Sequence, residues 1–329
     1  MFRYAFTHRH AFNLRHAFTL RHAFVSALLL ASAHLYAAES SVDIETAAKV
    51  YQDAAVREQV RASLGSMPEH IRQLFSADAR AHLSEQQLAL VTAAAERGFR
   101  IDVFEAPALS ALAANLDPVT VKKTEAFLAT DLGRRMVAAD VATATLEEAK
   151  IDKIMNGEIT APSTPQRDLL FDKLERATRS TESTVQIFLS MGKAVAIGTA
   201  VGAGRDPAAV EEDARKSGDA SRAGLEQNMR EPLRRYLAYG YRDMSDSDLK
   251  HLLAFLQSPA GKRYVSAYIA SMGAGFDAMG KRCGEQLGES LRELAQAQQS
   301  AVTLNPPPLI AAPSPANPPD PATPADPSK

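Results

Sequence analysis

The chain has no tryptophan, one cysteine and an aromatic content of only 6%. So few large rings argue against a β-sandwich and for Ala- and Leu-rich helix packing. With Cys283 alone, no intramolecular disulfide can form; a buried thiol or an intermolecular bridge remains. Lys281 and Arg282 beside it would favour the thiolate if it were exposed. Histidine is also scarce in the body, because five of the eight lie in the first 37 residues. His70, His82 and His251 are too far apart in sequence for a local metal or triad signature, and no motif calls for a cofactor. Strongly basic stretches are missing too. The 37 basic and 39 acidic residues include four leader arginines, so the body is about −6 and offers no footprint for nucleic acid. Nowhere does a period-2 apolar run sit between turn residues, so an all-α chain is expected.

What is present begins with a leader. The tetrad Arg-His-Ala-Phe recurs at 9–12, 15–18 and 21–24, and the apolar run from Phe24 to Ala33 follows it. A basic region, a short apolar run and small residues at Ala37 and Ala38 describe a secretory signal peptide over 1–37. Cleavage after Ala37 is the preferred site, Ala33 the alternative. The run is short of the ~20 apolar residues a span needs, which counts against the competing reading, a retained anchor.

The body contains one block twice. Leu116–Val137 and Met244–Val265 align without a gap at an offset of 128. Identical pairs include Lys122/Lys250, Phe127/Phe255, Gly133/Gly261 and Arg135/Arg263, while Thr130/Ser258 is a conservative swap. Thr130 and Ser258 are each suited to N-cap a helix, with Asp131 and Pro259 at N1. The block therefore reads as helix, tight break, helix. Gly133 and Gly261 fall inside the new helix, where glycine costs up to ~1 kcal/mol, and imply close approach by the preceding Phe or another backbone. Arg134, Arg135, Lys262 and Arg263 lie in a first turn that disfavours cations. They pair with acids such as Glu125, Asp246 or Asp248 or are simply solvated, or they contact an anion or a partner.

Flanking signals organise the rest. Ile44 to Gly65 has helical spacing, Pro68 starts a short helix, and Ser84 with Gln87 forms a capping box closed by Gly98. Residues 153–165, rich in turn formers, separate a first helical unit (40–152) from a second (166–300). Leu169–Leu189 reads as helix. The Gly-rich run 198–204 lacks the Lys and the spacing of a phosphate loop and is read as a tight helix contact or a loop. Lys193 interrupts the apolar stretch around it, which is too short for a membrane span, so no transmembrane segment is expected in the mature chain. Asp206-Pro207 opens another helix, and Leu225–Tyr241 leads to the second block. Five of the six tyrosines outside the leader fall between Tyr236 and Tyr268, as core or as the wall of a ligand groove. Gly280, Gly284 and Gly288 form a stripe for helix association, internal or between subunits. The tail, 301–329, holds ten of the eighteen prolines and is expected to be a disordered spacer.

The second block, Ser245-Asp-Ser-Asp-Leu-Lys250 followed by Ala254-Phe-Leu-Gln-Ser-Pro-Ala-Gly-Lys262, resembles the uncharacterised bacterial family catalogued as domain of unknown function 2059. The likeness is strongest over Leu225–Met272, and Leu116–Val137 is a weaker copy in which Asp131 replaces the proline. Leu256 stands where the family often has tyrosine. The resemblance implies an exported, all-helical protein. It brings no activity and no catalytic residues.

The function expected from these features is that of a non-enzymatic envelope or periplasmic protein that binds a protein partner or itself. The alternatives are a helical module for a small or lipidic ligand and an enzyme of unrecognised type. Against the last, Asp246 and Asp248 are explained as helix caps.

Overall fold

Short polar caps place most of the helix starts. The computed structural model describes residues 41–65 and 84–304, with side chains to 297. The leader, the Pro68 helix and the chain after Leu304 lie outside the described residues. Among the described residues are twelve α-helices and no strand. They are α1 (Ile44–Asp53), α2 (Val56–Leu64), α3 (Glu85–Gly98), α4 (Ile101–Asn115), α5 (Pro118–Leu128) and α6 (Asp131–Ala144). Then come α7 (Glu148–Asn156), α8 (Pro165–Thr178), α9 (Ser180–Gly202), α10 (Pro207–Gly240), α11 (Asp246–Gln257) and α12 (Pro259–Leu304).

Most of these caps are ones the sequence signals, the Thr164 cap inside the turn-rich stretch being an addition. Ser84 and Gln87 close a capping box on α3, and Ser245 with Asp248 closes another on α11. Asp117–Pro118, Thr164–Pro165 and Asp206–Pro207 each place a polar N-cap before a proline whose missing N–H is harmless there. Three boundaries differ from expectation. Ala55 takes a left-handed conformation (φ 51°) and splits the first helix into α1 and α2; Arg179 (φ 45°) likewise separates α8 from α9. Neither is Gly or Asn, the usual marks of that conformation, so nothing in the sequence flags these breaks. The third difference is at the end, where α12 continues to Leu304 and takes 301–304 out of the tail.

The packing pattern repeats. In the first half α1 packs on α2, α4 and α5, and α2 packs on α6; in the second, α8 packs on α9, α10 and α11. The two halves nevertheless share one hydrophobic cluster, which takes Phe104, Leu112 and Leu128 together with Leu249, Ile269 and Phe276. Phe104 and Phe276 meet edge to face with centroids 5.3 Å apart. A smaller cluster joins Ile151, Ile154 and Met155 of α7 to Met229, Leu233 and Tyr236 of α10. The turn-rich stretch expected to separate two units is thus a surface connection, entered at left-handed Gly157 (φ 82°), between stretches that bury a common core.

The Gly280–Gly288 stripe is covered from within the chain. A Cβ on Gly284 or Gly288 would sit 2.2 or 2.3 Å from the carbonyl oxygens of Val195 and Thr199 on α9. In return, a Cβ on Gly198 or Gly202 would sit 2.3 or 2.2 Å from those of Lys281 and Glu285. The backbones of α9 and α12 touch, and that contact offsets the ~1 kcal/mol each helical glycine costs. It also accounts for the Gly-rich run at 198–204 as a helix contact. Helix α9 is longer than expected, and its 23 residues are apolar enough to cross a membrane by length and composition. Its glycine face is nonetheless packed on a helix that carries Lys281 and Glu285.

Gly284→Ala should therefore lower the unfolding free energy by about 1–3 kcal/mol through overpacking. Gly192→Ala, on the exposed side of α9 with open space around its Cβ, should raise it by up to ~1 kcal/mol. Urea denaturation of both variants checks the contrast.

Candidate functional site: two helix corners packed face to face

Each matching block folds into the same corner. Thr130 Oγ1 accepts from the Gly133 amide at 3.0 Å, and Ser258 Oγ accepts from the Gly261 amide at 3.0 Å. At this point α6 and α12 start flush against the helix before them. A Cβ on Gly133 would lie 2.2 Å from the Phe127 carbonyl oxygen, and one on Gly261 would lie 2.0 Å from that of Phe255. No residue with a side chain fits there, which is why glycine recurs despite its poor helix propensity.

The corners then meet. Phe127 and Phe255 stack with centroids 4.0 Å apart and planes 3° from parallel. Around them the second cation of each basic pair crosses to the other corner. Arg135 holds Asp248 through two bonds, of 3.0 and 2.8 Å, and also bonds Asp131 at 2.9 Å. Arg263 reaches Asp117 at 2.9 Å. Both acids cap a helix start, Asp117 as the N-cap of α5 and Asp248 as the capping-box residue in the first turn of α11. The Arg135 and Ser245 contacts hold the Asp248 carboxyl well below the usual carboxylate range. Burial works against ionisation of Asp117, but the Thr120 bonds and Arg263 outweigh it and its pKa is lowered as well.

Of the four proposed partner contacts, Arg135 and Arg263 thus have partners inside the fold. Arg134 is exposed and donates to the Ala129 carbonyl of its own corner. Lys262 is exposed too.

One residue that holds the second corner escaped sequence reasoning. Buried Arg167 of α8 donates to Asp246 and to the Tyr241, Arg242 and Met244 carbonyls, at 2.8–3.2 Å. These are the carbonyls left over where α10 ends and the chain turns into α11. An arginine after a Thr-Pro cap reads as surface charge, and only the long-range fold reveals the clamp.

The tyrosine cluster is core rather than groove wall, since Tyr236, Tyr239 and Tyr268 are all buried. An open groove of about 360 Å³ lies nearby between α6 and the α10–α11 corner, with Ala138, Ala142 and Leu146 on one side and Gly240, Arg242 and Met244 on the other. Beside it, the Tyr241 hydroxyl donates to Asp140 at 2.9 Å and the Tyr236 hydroxyl to the Thr143 carbonyl at 2.9 Å. Burial pushes the Asp140 carboxyl up to about 7, and the Tyr241 bond works against that rise.

Cys283 is buried, 4% exposed, under the close approach of Gly98. Burial pushes its thiol up to about 12, and Arg97 opposes the shift. Of the two readings of this cysteine, the chain itself adopts the buried thiol.

A profile of the family described as "Uncharacterized protein conserved in bacteria (DUF2059)" matches residues 229–300, the end of α10, the whole second corner and most of α12. That stretch resembles this family. No curated protein and no solved structure matches the chain.

Two outcomes follow. A double-mutant cycle on Arg135→Ala and Asp248→Ala should give a coupling of about 0.2–1 kcal/mol that shrinks in 1 M salt. Native protein should show no Cys283 reaction with an aromatic disulfide reagent until denaturant exposes it; stoichiometric reaction in buffer would contradict the burial.

Proposed function

We propose that this is an exported bacterial envelope protein that acts by binding a protein partner through its helix surfaces. Export is supported by the basic, then apolar, then Ala-rich leader and by the resemblance of residues 229–300 to a bacterial family. Internal duplication is the reading we adopt for the matching blocks. They share sequence at an offset of 128, the same capping bond and the same flush glycine. The Pro-rich tail serves as a spacer.

The observation that carries the partner reading is how the basic pairs divide. Arg135 and Arg263 cross to acids of the other corner, whereas Arg134 reaches only the Ala129 carbonyl and Asp131 of its own corner, and both it and Lys262, at the equivalent position, are exposed in a first turn where the helix dipole disfavours them. A cation kept there in both corners is suited to an acidic contact outside the chain. The Ala-lined groove beside the second corner supports a second reading, a module for a small or lipidic ligand.

The test combines cell fractionation with photo-crosslinkers placed at Arg134 and at Lys262. The expected result is a periplasmic chain beginning after Ala37, with each position capturing the same protein and Arg134→Glu and Lys262→Glu abolishing capture. A full-length cytoplasmic chain contradicts export; unchanged capture in both Glu variants contradicts the contact.

A further inference from the structure

Helix α6 lends an apolar row to the groove beside the second corner. Ala138, Ala142 and Leu146 follow one another at intervals of four, so they share one face and span about 12 Å. Met244 of the corner lines the opposite side. The space between them, about 360 Å³, falls at the small end of the range for ligand sites. A row of this length, walled mostly by side-chain carbon, suits an unbranched alkyl chain.

The charged groups around the groove are unequally engaged. Arg135 lines it, but its guanidinium is already held by Asp131 and by two bonds to Asp248. Asp140, next to the row, accepts the Tyr241 hydroxyl. Arg242 is different. Its guanidinium lies 4.2 Å over the ring of buried Tyr239, and Nη1 donates to the Tyr239 carbonyl at 2.8 Å. The Nε–Nη2 edge, which takes a carboxylate side-on, meets only Asp243, at 3.5 Å. Asp243 lines the groove as well, but its side chain is 86% exposed, and a pair so open to water adds little. The same tyrosine ring carries a second cation, Lys150 of α7, at 5.6 Å. Among the described residues Lys150 makes no ion pair. A planar guanidinium fixed on an aromatic ring, with one edge open, is prepared for a bidentate anion.

We propose that the groove binds a medium-chain fatty acid, with the alkyl chain along Ala138, Ala142 and Leu146 and the carboxylate on Arg242, where Lys150 adds to the positive field. This rests on the ligand-module reading given above and assigns that module its ligand class. The affinity has two separable sources. Each CH2 buried in the groove should tighten binding about fourfold. The carboxylate should add about tenfold or more over a neutral head.

Isothermal titration calorimetry of the processed protein with octanoate, decanoate, decan-1-ol and decyltrimethylammonium separates the two. One decanoate should bind per chain, about tenfold or more tighter than decan-1-ol and about fifteenfold tighter than octanoate. Arg242→Gln should bring decanoate down to the level of decan-1-ol and leave decan-1-ol unchanged, while Lys150→Gln should weaken decanoate by a smaller factor. Ala142→Trp, at an exposed position in the row, should abolish binding of both. Decan-1-ol or decyltrimethylammonium binding as tightly as decanoate overturns the acid assignment and leaves a groove for other lipids. No binding by any of the four overturns the ligand-module reading with it. Decanoate binding that survives Ala142→Trp lies elsewhere and overturns the site. A dimer in sedimentation that Ala142→Trp dissociates gives the groove to a second copy of the chain and overturns the proposal too. The four ligands are compared on the unaltered chain, so the acid assignment is decided even if a variant misfolds.

Discussion

Face-to-face contact between two helix corners is the constraint on which the rest of the structure depends. Phe127 can lie flat on Phe255 only if each corner is tight enough to bring its ring to the surface it shares with the other. That tightness comes from the Thr130 and Ser258 caps and from glycines at 133 and 261, where any side chain would collide with the carbonyl oxygen of that same Phe. Once the corners are joined, α1 and α8 pack over them in corresponding ways, and the core from Phe104 to Phe276 closes between the halves.

Charge is arranged in two contrasting ways around this contact. At its edges Arg135 and Arg263 each cross to an acid that caps the opposite corner, so one carboxylate serves both helix initiation and association. Such half-exposed pairs add little stability by themselves. Their geometric effect is to fix how the corners are turned about the stacked rings, because Arg135 grips Asp248 with two parallel bonds. Further in, half-buried Asp140 accepts the Tyr241 hydroxyl at 2.9 Å instead of pairing with an arginine.

Local chemistry was legible in the sequence wherever a short-range rule applies. The Ser84–Gln87 and Ser245–Asp248 boxes, the Asp-Pro starts and the need for glycine at 133 and 261 all follow from a few neighbouring residues. So did the all-helical class, through the apolar spacing and the missing strands. Ala55 and Arg179 were not legible, since their left-handed breaks are imposed by packing on residues that do not prefer them. Nor was the Arg167 clamp, whose partners lie 74–79 positions away. The basic pairs were half legible. Asp248 was among the acids named for them, but only the fold reveals that the arginines exchange corners, and with that two of the four cations acquire a partner across the contact.

The most direct test of this account is a double-mutant cycle on Phe127→Leu and Phe255→Leu, followed by urea denaturation. Stacked rings at the centre of the corner contact predict a coupling energy of about 0.5–1.5 kcal/mol beyond the sum of the single losses. Strict additivity of the two substitutions would contradict it.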